Sequence, residues 1–165
     1  MQLVSPAFEN GGVIPGKYTG DSSDFSPPLK WSLVPSAAES FALICEDPDA
    51  PSRAHPSARG PWVHWVLYNI PAGVRELPEA LPRIAHLNHS VQAMQGRNDF
   101  ASDNIGYRGP KPPKGSGEHR YYFRLYALDC HLDLDPGHVD KESLFNAIEG
   151  HVVARAEWMG IYGEA

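Results

Sequence analysis

The sequence predicts a mostly β fold with short helices near its C-terminal end. Proline (16) and glycine (15) together approach a fifth of the 165 residues, which favours many turns and short elements over long helices. Residues 62–70 and 120–128 have the apolar and alternating patterns of strands. Helical spacing of apolar residues is confined to the region after residue 140. The length fits one domain over residues 1–165, on the usual scale of about 100–200 residues per domain.

The first predicted strands are short. Glycine and proline punctuate residues 1–35, so that short strands fit only near 13–14 and 30–33. The apolar run from Ser40 to Cys45 has strand length, and Glu46-Asp47-Pro48 ends it. A loop rich in proline, serine and arginine follows over 50–61.

The run from Trp62 to Ile70 is the strongest strand pattern in the chain. Strict alternation assigns Val63, Trp65 and Leu67 to one face, and Trp62, Val66, Tyr68 and Ile70 to the other. Both faces are apolar, which predicts a strand covered on both sides, inside a sandwich or under a helix. His64 interrupts the second face, where a polar ring must find a partner or line a cavity.

Residues 71–118 are predicted to be mostly loop, and a loop of that length is expected to be functional or packed by its own side chains. The strand after it alternates cleanly, with one face formed by His119, Tyr121, Phe123, Leu125 and Ala127. Asp140 is the expected N-cap of a helix over 141–149 that Gly150 ends. A second short helix over 151–157 and an edge strand at 160–162 complete the prediction.

Composition narrows the class of function. The net charge is −6, from 14 basic and 20 acidic residues, which argues against non-specific binding to nucleic acids or anionic membranes. A local anion site stays compatible with this charge, because backbone N–H groups can supply positive potential. Neither a signal peptide nor an apolar run of about 20 residues is visible, so we predict a cytoplasmic protein without a membrane span. Cys45 and Cys130 fit two reduced thiols better than a disulfide framework.

Polar side chains that could take part in binding or catalysis lie where strands meet rigid loops. Asp47 and Asp49 follow the Ser40–Cys45 strand, and His119 leaves a Gly115-Ser116-Gly117 loop. Tyr121 lies two residues beyond His119 on the same face, about 7 Å away on a strand. An imidazole and a phenol at this separation can hold one anion between them. Ordinary structural roles, such as an Asp turn or a satisfied core histidine, stay open for each residue alone.

Other chemistries fit the sequence less well. Asp47, His64 and His119 could together ligate a metal, but no helical His-x-x-x-His or His-Glu-x-x-His spacing supports one, so neither metal nor cofactor is predicted. No Gly-x-Ser-x-Gly elbow is present, and the cysteines lie in apolar settings that raise a thiol pKa. The glycine-rich segments lack the Gly-Lys-Ser/Thr of a nucleotide phosphate loop. No catalytic residue is therefore assigned.

Two separated and ordered motifs resemble the phosphatidylethanolamine-binding protein family, also called Raf kinase inhibitor-like proteins. The first is Asp47-Pro48-Asp49-Ala50-Pro51-Ser52 with Trp62-x-His64-Trp65. The second extends from Gly106-Tyr107-Arg108-Gly109-Pro110 to Gly117-Glu118-His119-Arg120-Tyr121. Residues 97–100 and the ending over 150–162 are similar to the bacterial and archaeal branch. The resemblance covers about residues 8–162, nearly the whole chain.

The resemblance implies an antiparallel β-sandwich with Greek-key connections and short peripheral helices. It also implies a pocket for phosphate-like anions or phosphorylated head groups, on positions that correspond here to Asp47, Asp49, His64, Gly109, Pro113, His119 and Tyr121, with Trp62 as a wall. The loop at 111–112 is longer than in mammalian members, and their C-terminal helix near the pocket is replaced here by the 150–162 segment. Relatives suggest a homodimer, and a kinase or protease as a protein partner.

A carboxylate beside an anion raises an electrostatic problem, because an ionised Asp47 would repel a dianion. A proton between the two groups resolves it, and phosphate has its second pKa near 6. We therefore expect binding to strengthen as the pH falls from about 8 to 6. The leading hypothesis is a non-catalytic binding protein. The alternatives are a hydrolase or lyase that uses Asp47, His64 and His119, and an interaction protein whose pocket is incidental.

Overall fold

The computed structural model describes residues 1–100 and 104–164, so that only 101–103 of the predicted 71–118 loop lie outside the described residues. Within these two ranges, nine strands and one α-helix follow each other. They are β1 (Gln2–Val4), β2 (Leu29–Ser32), β3 (Ser40–Asp47), β4 (Trp62–Pro71), β5 (Glu76–Leu77), β6 (His86–Asn88), β7 (Gln92–Gln95), β8 (His119–Leu128), α1 (Lys141–Ile148) and β9 (Val152–Tyr162). Single 3-10 turns lie at Gly16–Tyr18 and Pro136–His138.

The strands form two antiparallel sheets, which confirms the predicted β-sandwich. The large sheet has the order β6-β7-β4-β3-β8-β9, and the small sheet has the order β1-β2-β5. β3 and β4 pair as sequence neighbours, whereas β8 returns after a long connection to pair with the other side of β3. This return is the Greek-key connection that the resemblance implied. It brings the ends of β3, β4 and β8 together at one edge of the sandwich.

The large sheet is covered on both faces. Side chains of the small sheet, such as Leu29 and Trp31, pack against one face together with Phe41, Leu43 and Phe123. A second apolar cluster lies on the opposite face, where Leu144 and Ile148 of α1 pack on the sheet. Lys141 at the start of α1 also forms an ion pair with the buried Glu46 of β3. The two-sided burial predicted for the Trp62–Ile70 strand is thus confirmed.

The predicted faces of β4 are wrong at both ends of the strand. Val63 packs in the cluster under α1, and Ile70 packs between the sheets. Pairing explains the change, because β4 contains one more residue than β3 at two places, between the pairs Phe41–Ile70 and Leu43–Leu67 and between Cys45–Trp65 and Glu46–Val63. Each extra residue is a β-bulge, which switches the face of the side chains beyond it.

The C-terminal elements show one success and one error of local patterns. α1 begins at the predicted N-cap, where the Asp140 side chain accepts a hydrogen bond from the Ser143 N–H at 2.9 Å. Gly150 follows with φ of 81°, as expected of a helix-ending glycine. The predicted helix over 151–157 is wrong, because residues 152–157 belong to β9, which pairs with β8 along its whole length. β5, β6 and β7 are short strands inside the segment predicted as mostly loop.

No helix in the ranges 1–100 and 104–164 has the length and apolar character that a membrane crossing requires. The cysteines form no disulfide: Cys45 is buried in the core, and Cys130 is partly buried.

Candidate functional site

A small cavity of about 200 Å³ opens where the end of β3 meets the starts of β4 and β8. Its lining includes six of the eight residues that the sequence singled out, namely Asp47, Trp62, His64, Pro113, His119 and Tyr121. The other two, Asp49 and Gly109, do not line it. The remaining wall consists of Ala50, Pro51, Phe100, Lys111 and Pro112. The Ala50–Pro51 peptide bond in this wall is cis.

Asp47 and His119 form a buried pair at the floor of the cavity. Asp47 is 3% exposed and His119 is 1% exposed, and 2.6 Å separates Asp47 Oδ2 from His119 Nδ1. The other carboxylate oxygen accepts a hydrogen bond from the Asp49 N–H at 2.7 Å. Burial raises the pKa of the Asp47 carboxyl, against the lowering effect of the His119 hydrogen bond. The two residues therefore share one proton along a short contact.

The second ring nitrogen of His119 is also occupied. Nε2 lies 3.0 Å from Ser116 Oγ, and this hydroxyl donates its hydrogen to the Pro113 carbonyl at 2.6 Å. A serine hydroxyl has one hydrogen, so towards His119 it acts as the acceptor, and Nε2 carries a hydrogen. With a second proton between Nδ1 and the Asp47 carboxylate, the Asp47–His119 pair has no net charge. An entering anion thus meets a neutral pair instead of an isolated carboxylate.

His64 has the opposite hydrogen-bonding character. Its Nδ1 lies 2.5 Å from the Arg108 carbonyl, which can only accept, so Nδ1 carries the hydrogen and Nε2 is the acceptor of the neutral ring. Burial, opposed by this hydrogen bond, lowers the pKa of His64 from 6.5 to about 4. The ring is consequently uncharged near neutral pH. Its Nε2 can accept a hydrogen bond from a ligand, but the ring does not attract an anion as an imidazolium would.

Aromatic rings connect the floor of the cavity to its mouth. The rings of His119 and Tyr121 are nearly parallel with centroids 6.4 Å apart, and His64 meets Tyr121 edge-on at 5.2 Å. Phe100 contacts both His64 and Trp62 edge-on, at 5.1 and 5.6 Å. Burial raises the pKa of Tyr121, so its phenol keeps its proton and stays a donor. The mouth is therefore aromatic and the floor is polar.

Asp49 is directed away from the cavity and binds Arg120. Its Oδ2 accepts hydrogen bonds from the Arg120 N–H at 2.9 Å and from Nε at 3.0 Å, and its Oδ1 accepts from Nη2 at 2.8 Å. Burial opposes ionisation of Asp49, but these bonds outweigh it and lower the pKa of its carboxyl. Asp49 thereby attaches the loop after β3 to the start of β8, next to His119.

Gly109 is a packing position beside the cavity. A Cβ atom at this residue would lie 2.2 Å from the Tyr18 carbonyl oxygen and 2.6 Å from Asp24 Oδ1. The Gly109 N–H donates to the same Asp24 carboxylate at 2.7 Å. The close approach of two loops thus accounts for a glycine here, and this approach positions the Arg108 carbonyl that holds His64.

Replacing Gly109 by alanine is expected to lower the free energy of unfolding by about 3 kcal/mol, at the upper end for overpacking, because the obstructing atom is backbone oxygen. Gly73→Ala is the matched control, since a Cβ atom there would meet nothing within 4 Å. It is expected to change stability by no more than about 0.5 kcal/mol. Urea unfolding followed by tryptophan fluorescence measures both. Equal stability of the two variants would contradict the packing role.

Several wall residues were not predicted from the sequence. Lys111 is the cationic residue of the lining, and with Pro112 and Pro113 it also borders a wider groove of about 610 Å³ that includes Lys114 and Tyr162. Phe100 was noted only as part of a motif. The available signal was the spacing of prolines around Lys111, which fixes a loop but does not reveal that its lysine lines the cavity.

Among the described residues that line or border the cavity, none is an activated nucleophile. Burial raises the pKa of the Cys45 thiol well above its usual value, and Cys45 belongs to the core between the sheets. Ser116 Oγ donates to a carbonyl instead of to a histidine base. What the arrangement can do is donate from Tyr121 and Lys111 and accept at His64, which suits a small ligand that carries both negative charge and a proton.

The comparison with known proteins agrees with this architecture. The family model described as phosphatidylethanolamine-binding protein matches residues 4–163. A UPF0098 protein of Methanothermobacter thermautotrophicus is 49% identical over 162 residues, which cover 98% of each chain. A solved structure of a phosphatidylethanolamine-binding protein homologue from Chlamydia trachomatis is 42% identical, with a TM-score of 0.84, covering 99% of this chain and 97% of that chain. E. coli YbcL, described as a new member of the mammalian family, is 31% identical with a TM-score of 0.84 over 99% and 98% of the two chains.

Proposed function

Because the chain belongs to the phosphatidylethanolamine-binding protein family, we propose that its cavity binds a small phosphorylated or otherwise anionic ligand. Family membership supports a non-catalytic binding protein in general. The observation that carries the finer proposal is the 2.6 Å contact of Asp47 with His119, which we interpret as a neutral pair, beside His64 and Lys111 in one cavity of about 200 Å³. Such a volume admits a phosphate-sized head group more readily than a whole lipid.

The charge of the cavity favours one negative charge more than two. Lys111 provides a positive charge, and the Asp47–His119 pair provides none in sum. A monoanion can be neutralised by Lys111, whereas the second charge of a dianion would face the Asp47 carboxylate across a buried hydrogen bond. We therefore favour the monoanionic form of a phosphomonoester as the bound species.

The protonation of His64 supports the same form. A monoanionic phosphomonoester has one P–OH group, and the neutral His64 ring offers Nε2 as an acceptor for it. Tyr121 and Lys111 can then donate to the unprotonated oxygens. The dianion lacks the hydrogen that His64 requires. The ester group of the ligand is expected to extend towards the aromatic mouth formed by Trp62 and Phe100.

Lys111→Gln is expected to weaken phosphomonoester binding about tenfold, because a charge-assisted hydrogen bond is worth about 1.5–3 kcal/mol and glutamine keeps part of it. Lys114→Gln is the matched control: it removes the same charge from the same loop, but Lys114 borders only the wider groove. Calorimetric titration with O-phosphorylethanolamine at pH 6 measures both variants against the wild-type chain.

An equal loss in the two variants would mean that net charge, not a contact in the cavity, sets the affinity. Failure of the wild-type chain to bind phosphate or O-phosphorylethanolamine would refute the anion proposal itself. The same samples, incubated with chromogenic phosphatase and esterase substrates, test the hydrolase alternative. Turnover that is lost in His119→Ala would favour that alternative, because His119 is the group that an acid–base mechanism at this cavity requires.

The predictions about protein partners, domain organisation, cellular location and oligomeric state also stay proposals. Trp62 and Phe100 are 39% and 41% exposed at the mouth, so a kinase or protease that responds to ligand occupancy would contact these rings first. We propose in addition that residues 1–165 act as one domain, in the cytoplasm, as a homodimer. Light scattering of the purified chain decides the last point.

A further inference from the structure

A second cluster of chemically active side chains lies at the far end of β8. Asp129 and Cys130 directly follow β8, and His151 directly precedes β9. The Asp129 N–H donates to the His151 carbonyl at 3.0 Å, which closes the pair of strands at this end. Since β8 has 10 residues and His119 stands at its other end, the cluster lies about 30 Å from the anion cavity.

The cluster brings together three different donor atoms. A carboxylate oxygen of Asp129, the Cys130 sulfur and a ring nitrogen of His151 all lie within 4.8 Å of one another. Among the described residues, 1–100 and 104–164, this is the one such group of three potential metal ligands. His151 Nδ1 lies 2.8 Å from Asp129 Oδ1, and both side chains are about half exposed. A cation from solvent can therefore reach the site.

The backbone under the cluster is fixed, although the side chains are accessible. The Cys130 carbonyl accepts a hydrogen bond from Ser40 Oγ at 2.5 Å, and the Leu128 carbonyl accepts one from the Glu39 N–H at 2.7 Å. The ligands thus belong to a rigid strand end, while their exposed side chains can rotate. Zinc with these donors has metal–ligand distances of about 2.0–2.3 Å, which corresponds to donor separations of about 3.3–3.7 Å. Side-chain rotations that move the donor atoms by about 1 Å bring the three atoms to that spacing.

We propose that Asp129, Cys130 and His151 form a binding site for a divalent transition-metal cation of the zinc type. One oxygen, one nitrogen and one sulfur donor suit zinc better than magnesium or calcium, which prefer oxygen ligands alone. The Asp129 carboxylate, which lies 2.8 Å from His151 Nδ1, attracts a cation to the cluster. A divalent cation that binds there displaces the proton of the Cys130 thiol.

The number and type of the ligands determine how the metal would be coordinated and how its affinity depends on pH. Three protein ligands leave the fourth tetrahedral position to water or to an external ligand, as in open zinc sites. Loss of the thiol proton makes the affinity increase with pH. The sequence did not suggest this site because Asp129-Cys130 and His151 are separated by helix α1, and only the pairing of β8 with β9 brings them together.

Titration with Co²⁺ and Zn²⁺ tests the proposal. Co²⁺ bound to a thiolate gives a near-ultraviolet sulfur-to-metal charge-transfer band, which we expect in the wild-type chain and which Zn²⁺ should abolish by displacement. Cys130→Ser should remove the band, because Cys45 is fully buried and cannot replace Cys130. His151→Gln should weaken Zn²⁺ binding at least tenfold, since even outer-sphere changes cost that much at built sites.

His138→Gln is the matched control. His138 and Asp135 form another exposed His–Asp pair, with 3.8 Å between their charged atoms. The His138→Gln variant should bind Co²⁺ and Zn²⁺ with affinities within twofold of those of the wild-type chain. A band that persists in Cys130→Ser, an equal weakening in the His138 and His151 variants, or no band in the wild-type chain at saturating Co²⁺ would each overturn the proposal. None of these outcomes depends on the anion cavity.

Discussion

A change of pH from 8 to 6 is expected to tighten phosphomonoester binding about 50-fold. With a second phosphate pKa near 6, the monoanion makes up about half of the ligand at pH 6 and about 1% at pH 8. If only this form binds, the apparent dissociation constant rises in proportion to its loss. His64 does not contribute a charge in this range, because its pKa is lowered to about 4.

Titration of the His64 and His119 ring signals by NMR, with O-phosphorylethanolamine at the two pH values, measures this change at the cavity itself. Ethanolamine O-sulfate is the control ligand, since its sulfate group has a single negative charge at both pH values and no hydrogen to donate. Its binding should be weak and independent of pH. An equally steep response to the sulfate ester would place the titrating proton on the protein, and a flat response to the phosphate ester would eliminate the shared proton altogether.

The second large effect concerns stability in acid. The folded-state pKa of His64 is lowered from 6.5 to about 4, so between these values the unfolded chain binds a proton that the folded chain does not. The contribution of neutral His64 is complete above pH 6.5 and is lost as the pH falls towards 4. Between pH 7 and 4.5 this single group should reduce the free energy of unfolding by about 2–3 kcal/mol.

His64→Gln isolates this contribution, because glutamine is polar but does not titrate. The variant should be less stable than the wild-type chain at pH 7, and the difference should shrink by about 2–3 kcal/mol at pH 4.5. Urea unfolding at several pH values provides the comparison. The raised pKa of Asp47 contributes with the opposite sign, but Asp47 is present in both chains, so that its contribution cancels in the difference. Parallel stability curves for the two chains would show that His64 is not held neutral in the fold.

The site illustrates how far motifs reach. The sequence identified the residues of the cavity floor because an Asp-Pro-Asp turn and a glycine loop before His119 are local signals of exposed polar groups at strand ends. It could not separate Asp47 from Asp49, although they are two residues apart. Asp47 pairs with His119 in the cavity, whereas Asp49 binds Arg120, and only the register of β3 against β8 decides between these partners.

Lys111 and Phe100 are cavity residues that local sequence patterns could not predict. Both occur in loops, and nothing in the pattern of a loop states which strand end it will cover. Long-range hydrogen bonds fix the positions of these loops, such as that of the Asp99 N–H to the Val63 carbonyl at 2.9 Å and that of the Gly20 N–H to the Pro110 carbonyl at 2.8 Å. The cation and the aromatic mouth of the site therefore follow from tertiary contacts.

The sequence by itself determined the β class, three of the four long strands (β3, β4 and β8), and the capped start of α1, because each depends on interactions within a few residues along the chain. The tertiary structure decided the rest. Residues 152–157 include alanine, arginine and glutamate, which favour a helix, yet they form a strand, since β8 offers a full row of backbone partners. The bulges of β4, the separation of the two aspartates and the meeting of Asp129, Cys130 and His151 have the same cause: strand pairing joins residues whose separation in sequence hides their contact.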